Sequence, residues 1–340
     1  MTDKKYNVAI VGATGVVGEV ILSILHEREF PVGDVVPLAS ERSAGKKVML
    51  GSKPIMVQDL ATFDFAGIDF AFFSAGAEVS LEHAPRAAKA GAMVIDNTSA
   101  FRYDDDVPLV VPEVNAAILA ELPERNIIAN PNCSTIQMVV VLNPIAELAG
   151  IERVNVATYQ AVSGAGKSAI EELARQTASL LNAQEASVET LPHQIAFNVF
   201  PQIDRFEENG YTREEMKMVW ETQKIMNDAN IKVNPTAVRV PVFYGHSEAL
   251  HIETKEPIDI NELLSVLSTT PGLSLMQKDY PTPVTHAASQ DGIFVGRVRQ
   301  DISHPNGVNM WVVADNIRKG AALNAVQIAE LLVNRDRLLQ

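Results

Sequence analysis

The run Asn7-Val8-Ala9-Ile10-Val11-Gly12-Ala13-Thr14-Gly15-Val16-Val17-Gly18 decides how the first half of the chain folds. Asn7 to Val11 reads as a strand, G-x-x-G-x-x-G as a turn, and Val16 to about Glu27 as a helix. Glycines let the backbone approach a pyrophosphate, and the helix N-terminus offers it free amides and the positive end of a dipole. The spacing differs from the commoner G-x-G-x-x-G, so the strand–turn–helix context carries much of the inference; a tight turn without a ligand is the plainer alternative. Gly12, Thr14, Gly15, Val16 and Val17 are the residues expected along a bound dinucleotide.

Further strands are expected at Val35 to Ala39, Ile68 to Phe73, Met93 to Ile95, Leu109 to Val111 and Asn126 to Ala129. A helix fits Glu78 to Ala90, weakened by Pro85. Apolar runs alternating with helices indicate a parallel sheet covered on both faces, a Rossmann-like unit of an α/β protein. An NAD-binding protein usually ends its second strand on an acid for the ribose hydroxyl. Here the run is Ala39-Ser40-Glu41-Arg42-Ser43. Ser40, Arg42 and Ser43 suit a 2′-phosphate, which points to NADP, with Glu41 as the counter-indication unless it faces solvent.

Asn126-Ile127-Ile128-Ala129-Asn130-Pro131-Asn132-Cys133-Ser134-Thr135 holds the only cysteine of 340 residues. Asn130-Pro131-Asn132 is turn chemistry, and a helix follows from Ser134, with Pro144 able to kink or shorten it. Cys133 therefore stands where a strand ends and a helix begins, where unpaired amides and the helix dipole favour a thiolate and can hold an oxyanion. A buried structural cysteine is the alternative.

After Cys133 the texture changes. Arg153 to Val162 reads as a long strand, then Ser163-Gly164-Ala165-Gly166 and a helix from Ser168. Pro192 to Ile203 is irregular and Arg213 to Asn227 is a polar helix. Ala237 to Phe243 and Ser247 to Glu253 read as paired strands joined at Tyr244-Gly245-His246. A helix is expected over Ile258 to Ser268, and strands over Gly292 to Arg299 and Val308 to Ala314. This half reads as a mixed or antiparallel sheet with helices. The last helix, Gly320 to Asn334, carries Ala322, Val326, Ala329 and Val333 on one face and is expected to pack back on the first domain.

Apolar residues at 47% and charged ones at 21% describe an ordinary globular protein. One cysteine excludes an intramolecular disulfide and a Cys-rich zinc site and fits a reducing cytosol. The formal charge of −14 argues against nucleic acid or an anionic membrane as partner, so an anionic substrate must be held by locally placed arginines and lysines. Lys4 and Lys5 before an apolar stretch resemble a signal peptide, but Glu19 and three glycines interrupt it. No apolar run is long enough to span a bilayer.

Gly164-Ala165-Gly166-Lys167-Ser168 resembles the end of a phosphate-binding P-loop, but Ala161 stands where that motif needs its first glycine. His246 follows Gly245 at a turn and is the histidine best placed to move protons near neutrality. Asp104-Asp105-Asp106 has no distant ligand to accompany it, so no metal is expected.

Gly12-Ala13-Thr14-Gly15, Arg42-Ser43-Ala44-Gly45-Lys46, Asn130 to Thr135, Gln160-Ala161-Val162-Ser163-Gly164-Ala165-Gly166 and Arg239-Val240-Pro241 leading to His246-Ser247-Glu248 together resemble the aspartate-semialdehyde dehydrogenase family. The resemblance runs in order over nearly the whole chain, and the combination is far more specific than any piece. It implies a Rossmann-like NADP-binding domain over residues 1–130, with the helix of 318–340 packed on it. An α/β catalytic and dimerisation domain over 131–317 would form a homodimer. It implies NADPH-dependent reduction of aspartyl 4-phosphate to the semialdehyde with release of phosphate, serving lysine, threonine, methionine and diaminopimelate synthesis in the cytoplasm.

By the same resemblance Cys133 is the acyl-thioester nucleophile, His246 the acid–base residue and Gln160 the residue that orients the acyl group. Arg239 pairs with the substrate α-carboxylate and Glu214 with its amino group. Arg102 and Lys217, with Asn132, hold phosphate. Ser163, Gly164 and Asn316 match positions on the cofactor side. The chemistry agrees: an acyl phosphate needs a soft nucleophile, cationic anchors and a hydride donor. The nearest rival is N-acetylglutamyl-phosphate reductase, with the same chemistry on a longer, acylated substrate. A rival of another class is a non-catalytic NADP-binding protein that uses Cys133 as a redox switch.

Overall fold

The computed structural model describes residues 4–338. The chain divides into two compact units, Met1–Asn132 with Ala321–Gln340, and Cys133–Gly320.

The first unit is built on β1 (Tyr6–Val11), α1 (Val16–Glu27), β2 (Val32–Ala39), a hairpin of β3 (Lys47–Leu50) and β4 (Lys53–Met56), β5 (Gln58–Asp59), β6 (Phe70–Phe73), α2 (Ala77–Lys89), β7 (Met93–Asp96), the short α3 (Pro112–Asn115) and β8 (Ile127–Ala129). Its six-stranded sheet runs β5-β2-β1-β6-β7-β8, every pair parallel. Parallel strands bury both faces, and β6 shows it: Phe70 and Phe72 join one apolar core while Ala71 and Phe73, equally buried, face the other way. The first core is closed by Ile21, Leu22 and Leu25 of α1 and by Ala322, Val326, Ala329 and Val333 of the C-terminal segment, whose helix spans Leu323–Leu338. The expected α/β class, with its Rossmann-like parallel sheet, is what the chain adopts.

Two glycines of the first turn are sterically required. Gly12 has φ +88°, and a Cβ there would lie 2.9 Å from the Ser74 carbonyl carbon. A Cβ on Gly18 would lie 2.3 Å from the Gly12 oxygen, so α1 seats directly on the turn only because Gly18 has no side chain.

The second unit continues with α4 (Cys133–Ala149), β9 (Ile151–Gln160), α5 (Lys167–Leu181), α6 (Arg213–Ile225), β10 (Lys232–Arg239), β11 (His246–Thr254), α7 (Ile260–Thr269), β12 (Leu273–Met276), β13 (Ile293–Gln300) and β14 (Gly307–Ala314). Its six-stranded mixed sheet runs β10-β9-β11-β14-β13-β12. β10 on β9 and β12 on β13 are parallel and the remaining pairs antiparallel. Helix α4 lies on one face, buried on all sides from Ser134 to Leu142, against β9, β11, β14, α6 and α7. Such all-round burial explains its apolar sequence without a polar stripe. Pro144 sits inside it and the helix continues to Ala149.

On the other face of this sheet Asn155, Ala157, Tyr159, Ala249, His251, Asn309 and Trp311 stay partly or fully exposed. The irregular stretch before α6 is tied to α5 by two buried side chains. The Glu172 carboxylate accepts from the Thr190 amide at 2.5 Å, and Gln176 Oε1 accepts from the Ile195 and Ala196 amides at 2.9 and 3.1 Å.

Two expectations are corrected. Leu109 to Val111 is no strand: only Leu109 bridges to Ala129, because Pro108 removes an amide and Pro112 already opens a helix. The two stretches read as a hairpin around Tyr244-Gly245-His246 do not pair with each other. β10 ends at Arg239, β9 lies between β10 and β11, and the connection carries Pro241 and Gly245 at φ +89°. The helix expected over Glu78 to Ala90 forms despite Pro85, and strand β12 carried no clear signal in the sequence.

Candidate active site

In the second unit, Cys133 is the first residue of α4, half-buried at its N-terminus. Gly320 packs so closely there that a Cβ on it would stand 2.8 Å from the Cys133 Cβ. The next residue, Ser134, accepts a hydrogen bond from Gln160 Nε2 at 2.9 Å. Gln160 ends β9, buried, and the same amide reaches Glu214 Oε1 at 3.3 Å. Glu214 opens α6, where Thr212 and Glu215 form a reciprocal cap, and its other oxygen accepts from Lys217 Nζ at 3.1 Å. Lys217 also reaches Asp204 at 3.0 Å. An unbroken polar chain thus runs from α6 to the first turn of α4.

Arg239 and His246 are fixed by one residue, Ala161. Its carbonyl accepts from Arg239 Nη1 at 2.7 Å and its amide donates to His246 Nδ1 at 3.1 Å. An imidazole that accepts at Nδ1 carries its proton on Nε2. Nε2 has no partner among the described residues, and the backbone of Gly164 faces it. Burial holds the His246 pKa down to about 3, with Arg239 adding to the effect and Glu214 opposing it, so the ring is neutral across the working range. Burial also lowers the Arg239 pKa, and the charges of Glu214 and Cys133 oppose the shift. The guanidinium stays charged. Ser163 and Asn316 are joined by hydrogen bonds of 3.2 and 3.0 Å, and Asn316 Oδ1 accepts from the Gly245 amide at 2.9 Å.

In the first unit the turn after β1 opens on a cavity of ≈ 650 Å³ whose lining includes Gly12, Thr14, Gly15, Ser40, Arg42 and Ser43. The N-terminus of α1 receives no side-chain cap, so the amides of Val16 and Val17 are left for an anion. Arg42 is exposed and has no hydrogen-bond or ion-pair partner among the described residues. Glu41 is exposed as well. An uncapped helix behind a glycine turn, with an exposed guanidinium at the strand end, fits a nicotinamide dinucleotide.

Arg102, buried in the first unit, donates from Nη2 to the Asn97 carbonyl at 2.8 Å. Asn97 holds Asn130 Nδ2 at 2.9 Å, and Asn130 accepts from Asn324 at 2.7 Å. Those bonds pin the turn that ends at Asn132, itself buried. Asp96, fully buried, accepts from Ser80, from the Thr98 amide and from the Thr98 hydroxyl, which shapes the loop leading to Arg102; burial raises its pKa.

The fold therefore gathers Cys133, Gln160, Ser163, Gly164, Glu214, Lys217, Arg239, His246 and Asn316 in one unit, and places Arg102, Asn132 and the glycine turn in the other. Sequence reasoning missed Ser134, Asp96, Asp204 and Ala161. Ala161 acts through its backbone and leaves no signal in residue type. Asp96, at the end of a strand beside Thr98, was open to notice. Among the described residues no group of three or more His, Cys, Asp or Glu is arranged to hold a metal, and no helix is long and apolar enough to cross a membrane.

Comparison with known proteins agrees across the chain. Residues 7–122 match the family described as semialdehyde dehydrogenase, NAD binding domain, and residues 142–319 match semialdehyde dehydrogenase, dimerisation domain. A relative from Vibrio cholerae, aspartate-semialdehyde dehydrogenase 2, is 61% identical over 97% of this chain and 98% of its own. The crystal structure of aspartate semialdehyde dehydrogenase II from Vibrio cholerae complexed with ASA superposes with a TM-score of 0.96 at 61% identity, covering 97% of this chain and 99% of that one. The structure of aspartate semialdehyde dehydrogenase with NADP from Candida albicans gives a TM-score of 0.75 at 25% identity, covering 97% and 98%.

Proposed function

The chain belongs to the aspartate-semialdehyde dehydrogenase family, and from that premise we propose how its own residues carry the reaction. The enzyme converts L-aspartyl 4-phosphate and a reduced nicotinamide dinucleotide to L-aspartate 4-semialdehyde, phosphate and the oxidised dinucleotide, reversibly, in amino-acid biosynthesis leading to lysine, threonine, methionine and diaminopimelate. Cys133, as thiolate, attacks the acyl carbon and phosphate leaves, giving a thioester on its sulfur. When bound, the dinucleotide supplies the hydride. Hydride addition to the thioester leaves a tetrahedral oxyanion that accepts a hydrogen bond from His246 Nε2–H, and its collapse breaks the carbon–sulfur bond to give the aldehyde and the Cys133 thiolate.

Gln160 orients the acyl group. Arg239 takes the α-carboxylate as a rigid fork, because Ala161 fixes its other face. Glu214 meets the amino group. Arg102, Asn132 and Lys217 serve the phosphate, and Ser163, Gly164 and Asn316 the cofactor side. The observation that carries the reading is the double anchoring of Arg239 and His246 on Ala161, which leaves Nε2–H facing Gly164 and open to a ligand.

NADP is the cofactor. The reading rests on Ser40 standing where an acid would serve NAD, on the uncommitted Arg42, and on the NADP-bound Candida albicans relative. The working state is a homodimer in the cytoplasm. The partly exposed sheet face with Tyr159 and Trp311, the exposed Phe197, Val199 and Phe206, and the match to a dimerisation domain support the dimer. Light scattering of the purified protein reads its mass.

The deciding assay is NADP reduction on aspartate semialdehyde with phosphate present or omitted, in the native protein and in Cys133→Ser. Turnover should require phosphate and vanish in the variant, with a thioester mass on Cys133 in the native protein. Phosphate-independent turnover, or an active Cys133→Ser protein without that adduct, refutes the assignment.

A further inference from the structure

The acidic run Asp104-Asp105-Asp106 meets a cation in the fold. Arg125 Nη1 donates to Asp104 Oδ2 at 2.7 Å and to Asp106 Oδ1 at 3.0 Å. Its guanidinium also lies over the Phe101 ring, 5.1 Å from the centroid. Asp105, between the two acids, is exposed and forms no ion pair with Arg125. Arg125 therefore touches the residue before Arg102, the second after it and the fourth after it.

Both sides of this contact are tied down. Residues 101–107 make two successive turns, the Asp104 amide donating to the Phe101 carbonyl and the Val107 amide to the Asp104 carbonyl, each at 3.2 Å. Phe101 and Val107 are buried at the two ends. Arg125 stands just before β8, where the Asn126 carbonyl accepts from the Val94 amide at 2.8 Å, so its backbone is fixed to the parallel sheet. A lone surface ion pair contributes little to stability. One planar guanidinium shared by two carboxylates and an aromatic face instead restricts geometry, because all three contacts hold in only one placement of the loop.

We propose that Arg125 is a positioning residue: by clamping Phe101, Asp104 and Asp106 it holds the loop in the placement from which Arg102 meets phosphate. With the clamp released, the loop samples other placements and phosphate binds only the competent fraction, which raises the apparent dissociation constant in proportion. The chemistry at Cys133 is untouched once phosphate is bound. This inference rests on the reading of Arg102 as a phosphate residue.

The test is NADP reduction on aspartate semialdehyde with phosphate varied, in the full-length protein. The variants are Arg125→Ala, Arg125→Lys, the Asp104→Asn, Asp106→Asn double variant, and Asp105→Asn. Arg125→Ala and the double variant should raise KM for phosphate about three- to thirtyfold, the reciprocal of the competent fraction left. In both, kcat at saturating phosphate and KM for the semialdehyde should stay within about twofold of native. Arg125→Lys keeps the charge without the planar fork and should recover only part of the loss. The acid variants separate the clamp from plain charge effects. Deleting carboxylates two and four residues from Arg102 relieves repulsion of an anion and would by itself lower KM for phosphate, whereas breaking the clamp raises it. Asp105→Asn removes the same kind of charge outside the clamp and should leave KM at or below native.

A phosphate KM at or below native in the double variant overturns the proposal, as does a loss confined to kcat or to the thermal melt, or an equal rise in Asp105→Asn. Where Arg125→Ala fails to fold, the double variant decides. Arg102→Leu with a native phosphate KM overturns the reading of Arg102 itself, whereas a raised KM there beside indifferent Arg125 and Asp104 variants overturns only the clamp.

Discussion

Replacing Gly164 by alanine adds one methyl at the point where the reaction is assigned. Gly164 lies in the short turn after β9, outside the left-handed region, so the substitution strains no backbone. The new Cβ would stand 3.2 Å from Arg239 Nη1 and 3.3 Å from His246 Nε2. Neither neighbour yields easily. Both are buried, and both are already bonded to Ala161, at 2.7 and 3.1 Å. The methyl therefore occupies the space in front of Nε2–H. Overpacking of this kind costs about 1–3 kcal/mol of stability, a loss a chain of this size survives. The catalytic loss is larger. Blocking one donor to a developing oxyanion costs about 10²–10³ in kcat, roughly 2.7–4 kcal/mol. The assay is phosphate-dependent NADP reduction at saturating cofactor, with circular dichroism and a thermal melt as controls. Cys133 alkylation should stay within a few-fold of native. A folded Gly164→Ala protein that keeps kcat within about threefold refutes the placement of the reacting oxygen at His246 Nε2.

Arg239→Leu should raise KM for the semialdehyde most, and Arg102→Leu should raise KM for phosphate most; separate saturation curves read this, and the reverse pattern overturns the mapping. Arg42→Ala should lower NADP affinity about ten- to a hundredfold, the worth of a charged hydrogen bond, while leaving NAD almost unchanged. A protein that prefers NAD, or a variant that weakens both cofactors equally, removes this loop from recognition of the 2′-phosphate. His246 should make stability fall as pH is lowered from its unfolded value of 6.5 towards its folded value of about 3, because there the unfolded chain binds a proton that the folded one does not. The slope from this group is at most about 1.4 kcal/mol per pH unit. Glu248 has the opposite sign: above the ordinary value of 4.5 the unfolded chain ionises first, so stability is lost as pH rises. Urea unfolding of the native protein and of Glu248→Gln from pH 5 to about 8 separates the two, the variant lacking the decline at higher pH; superimposable curves refute the assignment of that buried acid.

The sequence by itself determined what local rules govern. Gly12 and Gly18 mark a turn on which a helix must seat closely, and the apolar runs of β1, β6 and β7 mark strands buried on both faces. Cys133 after Asn130-Pro131-Asn132 is legible as the start of a helix because turn and helix-start chemistry act over a few residues. Which strands meet was decided by the tertiary structure. β9 enters between β10 and β11, and the hairpin that their nearness in sequence suggested does not form; sheet pairing is settled by which faces can be buried together across the chain. The tautomer of His246 was equally hidden, because the amide and carbonyl of Ala161 that set it and anchor Arg239 belong to every residue type alike. Glu248 reads in sequence as an ordinary strand-face acid, and only the seating of α4 on β11 buries it fully and raises its pKa above the ordinary carboxylate range. Residue types state what a position is able to do; burial and long-range pairing, which depend on the whole fold, decide the charge it carries and the partner it meets.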